Sequence, residues 1–361
     1  MSHQVTALSV AEQTKPLRVV QWATGNIGLR SLRSVIEHPS MKLVGLYVYS
    51  DTKAGCDAGA LCGLPPVGVK ATRSVDDIVK LKPDCVLYMP QFIDADDLCR
   101  LLSAGINIVT TRTEFHHPAH VEPKLRERIE AACRQGGSSI HSTGSSPGFI
   151  TEAVPLVLAS LQRRFDACRI NEYGNVSSRN SPQMIFQIMG FGAKLEDASD
   201  AGRVHHLREA FGPSLQVVAE ALGLSFDGLD AYGELAAAKH RTQIAAGVIE
   251  AGTVGAMRTT VVGKRNGKPL MSFTATWFVT KDLDKPDWNL RDDGWRVEVD
   301  GDTPLDVSIR FPVSREDWPK VSPGITAHRA VNAVRFVCAA PPGIRTSAEL
   351  PQIIADLGAR A

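Results

Sequence analysis

The stretch "VVQWATGNIGLR", Val19–Arg30, decides how this chain is read. Two β-branched residues lead into a tryptophan, and Gly25 and Gly28 then open an amphipathic run. Strand, glycine turn and helix start, in that order, begin a dinucleotide-binding site. A residue without a Cβ lets backbone approach a pyrophosphate, and the free N–H groups of a helix N-terminus donate to it. The first glycine of G-x-G-x-x-G is missing, and Ala23 holds its place. Alanine can still make many tight turns. The stretch is therefore expected to hold a cofactor through Thr24, Gly25, Asn26, Ile27 and Gly28; a plain strand–turn–helix is the alternative.

Outward from this stretch, residues 17–143 alternate between short apolar runs and amphipathic segments. "LRVVQWA", "KLVGLYVYS", "DCVLYMP", "NIVTT" and "SSIHST" read as buried parallel strands. Asn26–Glu37, Val75–Leu81, Ala95–Ala104 and Pro123–Gln135 read as helices between them. The fold class expected is α/β: a Rossmann-type doubly wound parallel sheet plus an α+β substrate domain with an antiparallel sheet. "GFITEAVPLVLASL" should link the two as a helix. "MRTTVVGK" and "LMSFTATWFV" flank Asn266-Gly267, a type I′ hairpin signal, and a helical insertion is expected at about 199–222. "TAHRAVNAVRFVCAA" and "TSAELPQIIADL" read as closing helices. The expected division is 16–150 for the dinucleotide domain, 151–323 for a substrate and dimerisation domain, and 324–361 for C-terminal helices packing back on the first domain.

Composition narrows the function. The 361 residues carry 40 basic and 39 acidic side chains with no long basic run, which argues against nucleic acid and anionic membranes as partners. Seven scattered cysteines without C-x-x-C or a Cys/His cluster argue against a metal site and fit a reducing cytoplasm. The first residues, to about 15, lack a signal peptide's apolar core and read as a loose lead-in.

The second strand ends in "YVYSDTKAG". An acid at this tip accepts the ribose 2′-hydroxyl of NAD, whereas hydroxyls and cations hold the 2′-phosphate of NADP. Ser50 and Lys53 suit the phosphate and Asp51 the diol, so NADP is expected, with NAD possible. Met89, Pro90 and Gln91 follow the "CVLYMP" strand and should border the cofactor on the same geometric ground.

"QWATGNIG", "VYSDTKAGCDAG", "VTTRTEFHHP" and "STGSSPGF" occur in the order of related motifs in a dihydrodipicolinate-reductase-like group. Within it the chain resembles the 2,4-diaminopentanoate dehydrogenase and amine dehydrogenase family, and "SSRNSPQMIFQIMGFG" and "AHRAVNAVRFVCAAPPGIRTSAELP" add to the likeness. The resemblance implies NAD(P)-dependent oxidative deamination of an amine, reversible as reductive amination of a small ketone or aldehyde with ammonia, by a homodimer. It also implies that Glu114 is the catalytic carboxylate, and a parallel strand ending just before it fits that role. Arg112 borders the same site; with Thr113 it departs from the acid-rich stretch of the diamine enzymes, which argues against a diamine. Ser146, where the family often has asparagine, and Pro147 should meet the nicotinamide region. Phe149, Tyr173, Met184, Phe186 and Trp277 are candidate substrate-pocket walls. His116 and His117 read mainly as loop residues. Other readings are an imine or semialdehyde reductase on the same scaffold, or an NAD(P)-sensing regulator without turnover.

Overall fold

The computed structural model describes residues 15–198 and 201–358, so the N-terminal lead-in lies almost wholly outside the described residues. The first domain alternates as the apolar runs require. Its elements are β1 (Leu17–Trp22), α1 (Asn26–Glu37), β2 (Met41–Tyr47), α2 (Ala58–Leu61), β3 (Ala71–Thr72), α3 (Val75–Lys80), β4 (Cys85–Tyr88), α4 (Ala95–Ser103), β5 (Asn107–Thr110), α5 (Pro123–Gly136) and β6 (Ser139–Ser142). β4, β5 and β6 carry almost no exposed residue because helices cover both sheet faces.

The second domain follows with α6 (Val154–Ala159), β7 (Phe165–Asn175), α7 (Ala201–Ala221), β8 (Gly228–Ala237), β9 (Thr242–Ile244), β10 (Gly247–Ile249), β11 (Val254–Arg265), β12 (Lys268–Phe278), β13 (Gly294–Gly301) and β14 (Leu305–Arg310). The chain returns through α8 (Trp318–Cys338) and β15 (Gly343–Arg345). β15 pairs parallel with β6, completing a seven-stranded sheet of order β15-β6-β5-β4-β1-β2-β3. α8 packs beside α1: Ala330, Val331 and Val334 share an apolar cluster with Leu32 and Val35. α3, α4 and α5 cover the opposite face through Ile78, Leu98, Leu101 and Ile129.

The second sheet has the order β14-β13-β7-β12-β11-β8. It is mixed rather than purely antiparallel, because β7 and β12 run parallel. β11 and β12 join through Asn266 and Gly267, both at positive φ, as a type I′ turn demands. Phe273 on β12 stacks on Phe211 of α7 with ring centroids 3.9 Å apart, worth roughly 0.5–1.5 kcal/mol beyond area burial. On the apolar face of β12, α7 of the same chain thus covers Phe273 and Ala275. On the opposite face Thr260 and Thr274 share a hydrogen bond, and Tyr232, level with them on β8, is exposed.

One local expectation needs correction. "TSAELPQIIADL" forms no helix: Glu349 accepts from the Thr346 N–H and hydroxyl, closing one turn, and Pro351 cannot supply the N–H to continue it. Ahead of the linking helix, Ser146, Pro147 and Gly148 are non-helical, and the helix begins after them. Ser199, the expected start of the helical insertion, lies outside the described residues; α7 is described from Ala201.

Candidate active site

β1 lies between β4 and β2, so connections leave it in both directions and a crevice opens beyond its carboxyl end. Ala23 occupies the turn there with φ +72°, the left-handed conformation that glycine adopts freely. Alanine in that region costs roughly 1–2 kcal/mol. Gln21 holds the turn: its buried side-chain amide donates to the carbonyls of Trp22 (3.2 Å) and Ala23 (3.0 Å). The two glycines then do different work. A Cβ on Gly28 would sit 2.3 Å from the Ala23 carbonyl oxygen, so this glycine lets α1 press against the turn. A Cβ on Gly25 would meet nothing within 4 Å.

Gly25 borders a cleft of about 260 Å³. Thr24, Ser50, Lys53, Met89, Pro90 and Gln91 line it too, so seven of the sequence candidates converge here. Lys53 reaches across it, donating to the Thr24 carbonyl (3.2 Å) and hydroxyl (3.1 Å). Ser50 turns to its own loop and bonds Thr52 at 2.7 Å. Asp51 points out of the cleft lining and forms an ion pair with Arg73. Of the other candidates, all in the first turn of α1, Asn26 is exposed, Ile27 packs on the core and Gly28 is buried against the Ala23 turn.

The sequence reading missed Arg73, because the strand it follows, β3, is two residues long and carries no pattern. It also missed Tyr49, whose hydroxyl accepts from the Trp22 indole at 3.0 Å and which lines the same cleft.

Glu114 lies in the single helical turn Thr113–Phe115 that follows β5. Arg112 grips it with two hydrogen bonds, Nη2 to Oε1 at 2.6 Å and Nε to Oε2 at 3.2 Å. The third guanidinium nitrogen donates to the Gln91 carbonyl at 2.5 Å. One arginine therefore ties the carboxylate to a residue that lines the cleft. The pair is only partly buried, about 30% exposed on each side chain, so a second molecule can reach it. Ser146 and Pro147 lie on the neighbouring turn after β6; their peptide bond is cis. The Ser146 and Thr143 hydroxyls there are buried without a hydrogen-bond partner.

The histidines of "EFHHP" turn inward. His116 is buried with Nδ1 2.6 Å from the Glu152 carboxylate. His117 meets Glu220 of α7 at 2.9 Å. Both join the domains, and neither points into the cleft lining. His141 on β6 is fully buried, with Nδ1 2.7 Å from the Arg345 carbonyl. A carbonyl only accepts, so Nδ1 carries the proton, and Nε2 is left without a partner. Burial pushes the His141 pKa down to about 4 from 6.5. Because the folded value lies below the unfolded one, protons bind the unfolded chain first as pH falls. Stability should drop between pH 6.5 and 4, by roughly 3 kcal/mol. Urea midpoints at pH 7.5 and 4.5 check this; His141→Gln should flatten the difference.

The substrate-wall candidates divide. Phe149 packs between Trp295 (6.2 Å) and the Arg329 guanidinium (6.0 Å). Trp277 and Phe186 border one apolar cluster with Val176, Ile185 and Met257. Met184 sits on the same π-helical turn as Phe186 but is exposed and outside that cluster. Tyr173 lines a separate cavity of about 940 Å³, with Trp295, Phe311, Trp318, Asp293 and Arg315. Arg179 is drawn to Asp293 and Glu172; crowding by protein lowers its pKa and the two acids oppose this.

Fold and cleft define a protein of the dehydrogenase class, with a Rossmann-type parallel sheet that carries the cleft and a second, mixed sheet. Residues 159–360 match the family model of the 2,4-diaminopentanoate dehydrogenase C-terminal domain, and the chain belongs to that family. An amine dehydrogenase from Streptomyces virginiae is 25% identical over 347 residues, spanning 93% of this chain and 96% of that protein. The structure of an amine dehydrogenase from Mycobacterium smegmatis superposes with a TM-score of 0.75 at 20% identity, over 95% of this chain and 98% of that one. A probable dehydrogenase from Thermotoga maritima shares the fold more loosely, with a TM-score of 0.55 at 9% identity, over 91% of each chain. Among the described residues no helix is long and apolar enough to cross a membrane, and no His, Cys, Asp and Glu group could hold a metal.

Proposed function

We propose that this chain is an NAD(P)-dependent amine dehydrogenase. It would interconvert an amine with a small ketone or aldehyde and ammonia. The observation that carries the reading is the Glu114 carboxylate, fixed by Arg112 to the Gln91 edge of the cleft. The cleft suits a dinucleotide: Gly25 leaves its floor open, and α1 presents its first N–H groups beside it. When bound, the nicotinamide supplies or accepts the hydride. This chain's residues do the rest. In the amination direction Glu114 would take a proton from the attacking ammonium, return it to the carbinolamine hydroxyl that leaves as water, and stabilise the cationic iminium as it forms. Arg112 would hold the carboxylate in one orientation, since a bidentate fork fixes both oxygens.

Amine-dependent reduction of NADP⁺, with one ammonia released per NADPH formed, tests the reaction. NADPH formation without ammonia would point to a different substrate bond.

NADP is the preferred cofactor on this reading. Lys53→Ala should raise the Kd for NADP more than that for NAD, because a charge-assisted contact to the 2′-phosphate is lost only with NADP. Isothermal titration with both cofactors decides. An equal loss would mean that Lys53 acts through Thr24 on the pyrophosphate turn instead. The reading includes a homodimer, for which the open sheet face with Tyr232 is available. Light scattering is expected to give twice the mass of one chain, and a single-chain mass would reject it.

A further inference from the structure

Glu152 is a carboxylate with no exposure, on the linking helix between the domains. Chain segments distant in sequence converge on it. His116 lies at 2.6 Å from Oε1, the Ser214 hydroxyl of α7 donates to Oε1 at 2.7 Å, and the Ser347 hydroxyl after β15 donates to Oε2. The chain of contacts continues. Ser214 meets the Thr151 hydroxyl at 2.5 Å, and the Gly148 N–H donates to Thr151 at 2.9 Å. One buried network thus begins two residues beyond Glu114 and ends one residue beyond Pro147. It joins the loop that carries Arg112 and Glu114 to the turn that carries Ser146.

We infer that His116 and Glu152 are positioning residues, a buried strut that holds the two nicotinamide-side loops in register. The inference rests on the reading of Glu114 given above. Burial opposes the carboxylate charge, but His116 and the two serine hydroxyls outweigh it and hold the Glu152 pKa low. Arg329 also lies within electrostatic reach of Glu152. A buried charge with one partner removed is strongly destabilising, so such a group is anchored to its partners. Anchoring matters because misplacing a catalytic group by about 1 Å can cost about 10²-fold in rate.

The test uses Glu152→Gln, with Ser347→Ala as a milder variant that removes a single hydrogen bond. Amide hydrogen exchange is read first, on the protein without added cofactor. Exchange should accelerate together in residues 113–117 and 146–149 while α4 stays protected. Unchanged exchange, or acceleration in only one loop, overturns the strut. A double-mutant cycle with Glu114→Gln is read second. If Glu152 acts through Glu114, Glu152→Gln lowers kcat more than it changes KM, and adds nothing in the Glu114→Gln background. Multiplying effects overturn the inference. Normal amination by Glu114→Gln alone rejects the role of Glu114 instead, and the exchange measurement still judges the strut.

Discussion

Glu114→Gln is expected to slow reductive amination by about 10²–10⁴-fold, roughly 3–5 kcal/mol in the barrier, the span that general acid–base groups supply. Glutamine keeps the shape and can still accept from Arg112, but it cannot take a proton and carries no charge to steady an iminium. Cofactor affinity should change little, because the carboxylate is held by Arg112 and does not line the glycine cleft. Single-turnover rates together with NADP binding by fluorescence separate the outcomes. Near-normal amination removes Glu114 from the mechanism. His116 is then no ready substitute, because it is buried against Glu152. Loss of binding together with rate would show that the loop is only structural.

Gly25→Val should weaken cofactor binding by more than about 2 kcal/mol, because its side chain would fill the approach to the pyrophosphate. The structure adds a control. Among the described residues, nothing beyond its chain neighbours stands within 4 Å of a Cβ at Gly25, so the variant should fold normally. Gly28→Ala should do the opposite. Its Cβ would strike the Ala23 carbonyl, and a loss of roughly 1–3 kcal/mol in stability is expected, the usual range for overpacking. Urea denaturation and cofactor titration on both variants should therefore give crossed results. A folded Gly25→Val protein with normal affinity would show that the stretch is only a strand–turn–helix.

The first domain was legible because its elements repeat a simple pattern. α1 runs Asn26–Glu37, as the periodicity implies, and the Asn266-Gly267 turn sits where the dipeptide places it. Short and borrowed elements were not legible. β3 and β15 are two and three residues long and exist because neighbouring strands offer free edges. The closing helix failed at Pro351, a breaker that its Thr346–Glu349 capping signal obscured.

At the site, residue types announced the glycine turn, but pairings could not be read from spacing. Asp51 takes Arg73, Glu114 takes Arg112, and His116 takes Glu152, which is 36 residues away. One signal for the last pair was available. Glu152 is a lone acid in the apolar run "GFITEAVPLVL", and a buried acid demands partners. The linking segment also hid its non-helical turn at Ser146–Gly148, because Pro147 is equally at home in a helix's first turn.

On the proposed function, the cleft holds a nicotinamide cofactor, and the Glu114 carboxylate, tied by Arg112 to its Gln91 edge, serves the making and breaking of a carbon–nitrogen bond. The most direct measurement is NADPH consumption with a panel of small ketones and aldehydes, each assayed with and without ammonium. The expected result is turnover that requires ammonium and yields the corresponding amine. Turnover that is indifferent to ammonium, or tight NADPH binding with no turnover on any carbonyl, would contradict it.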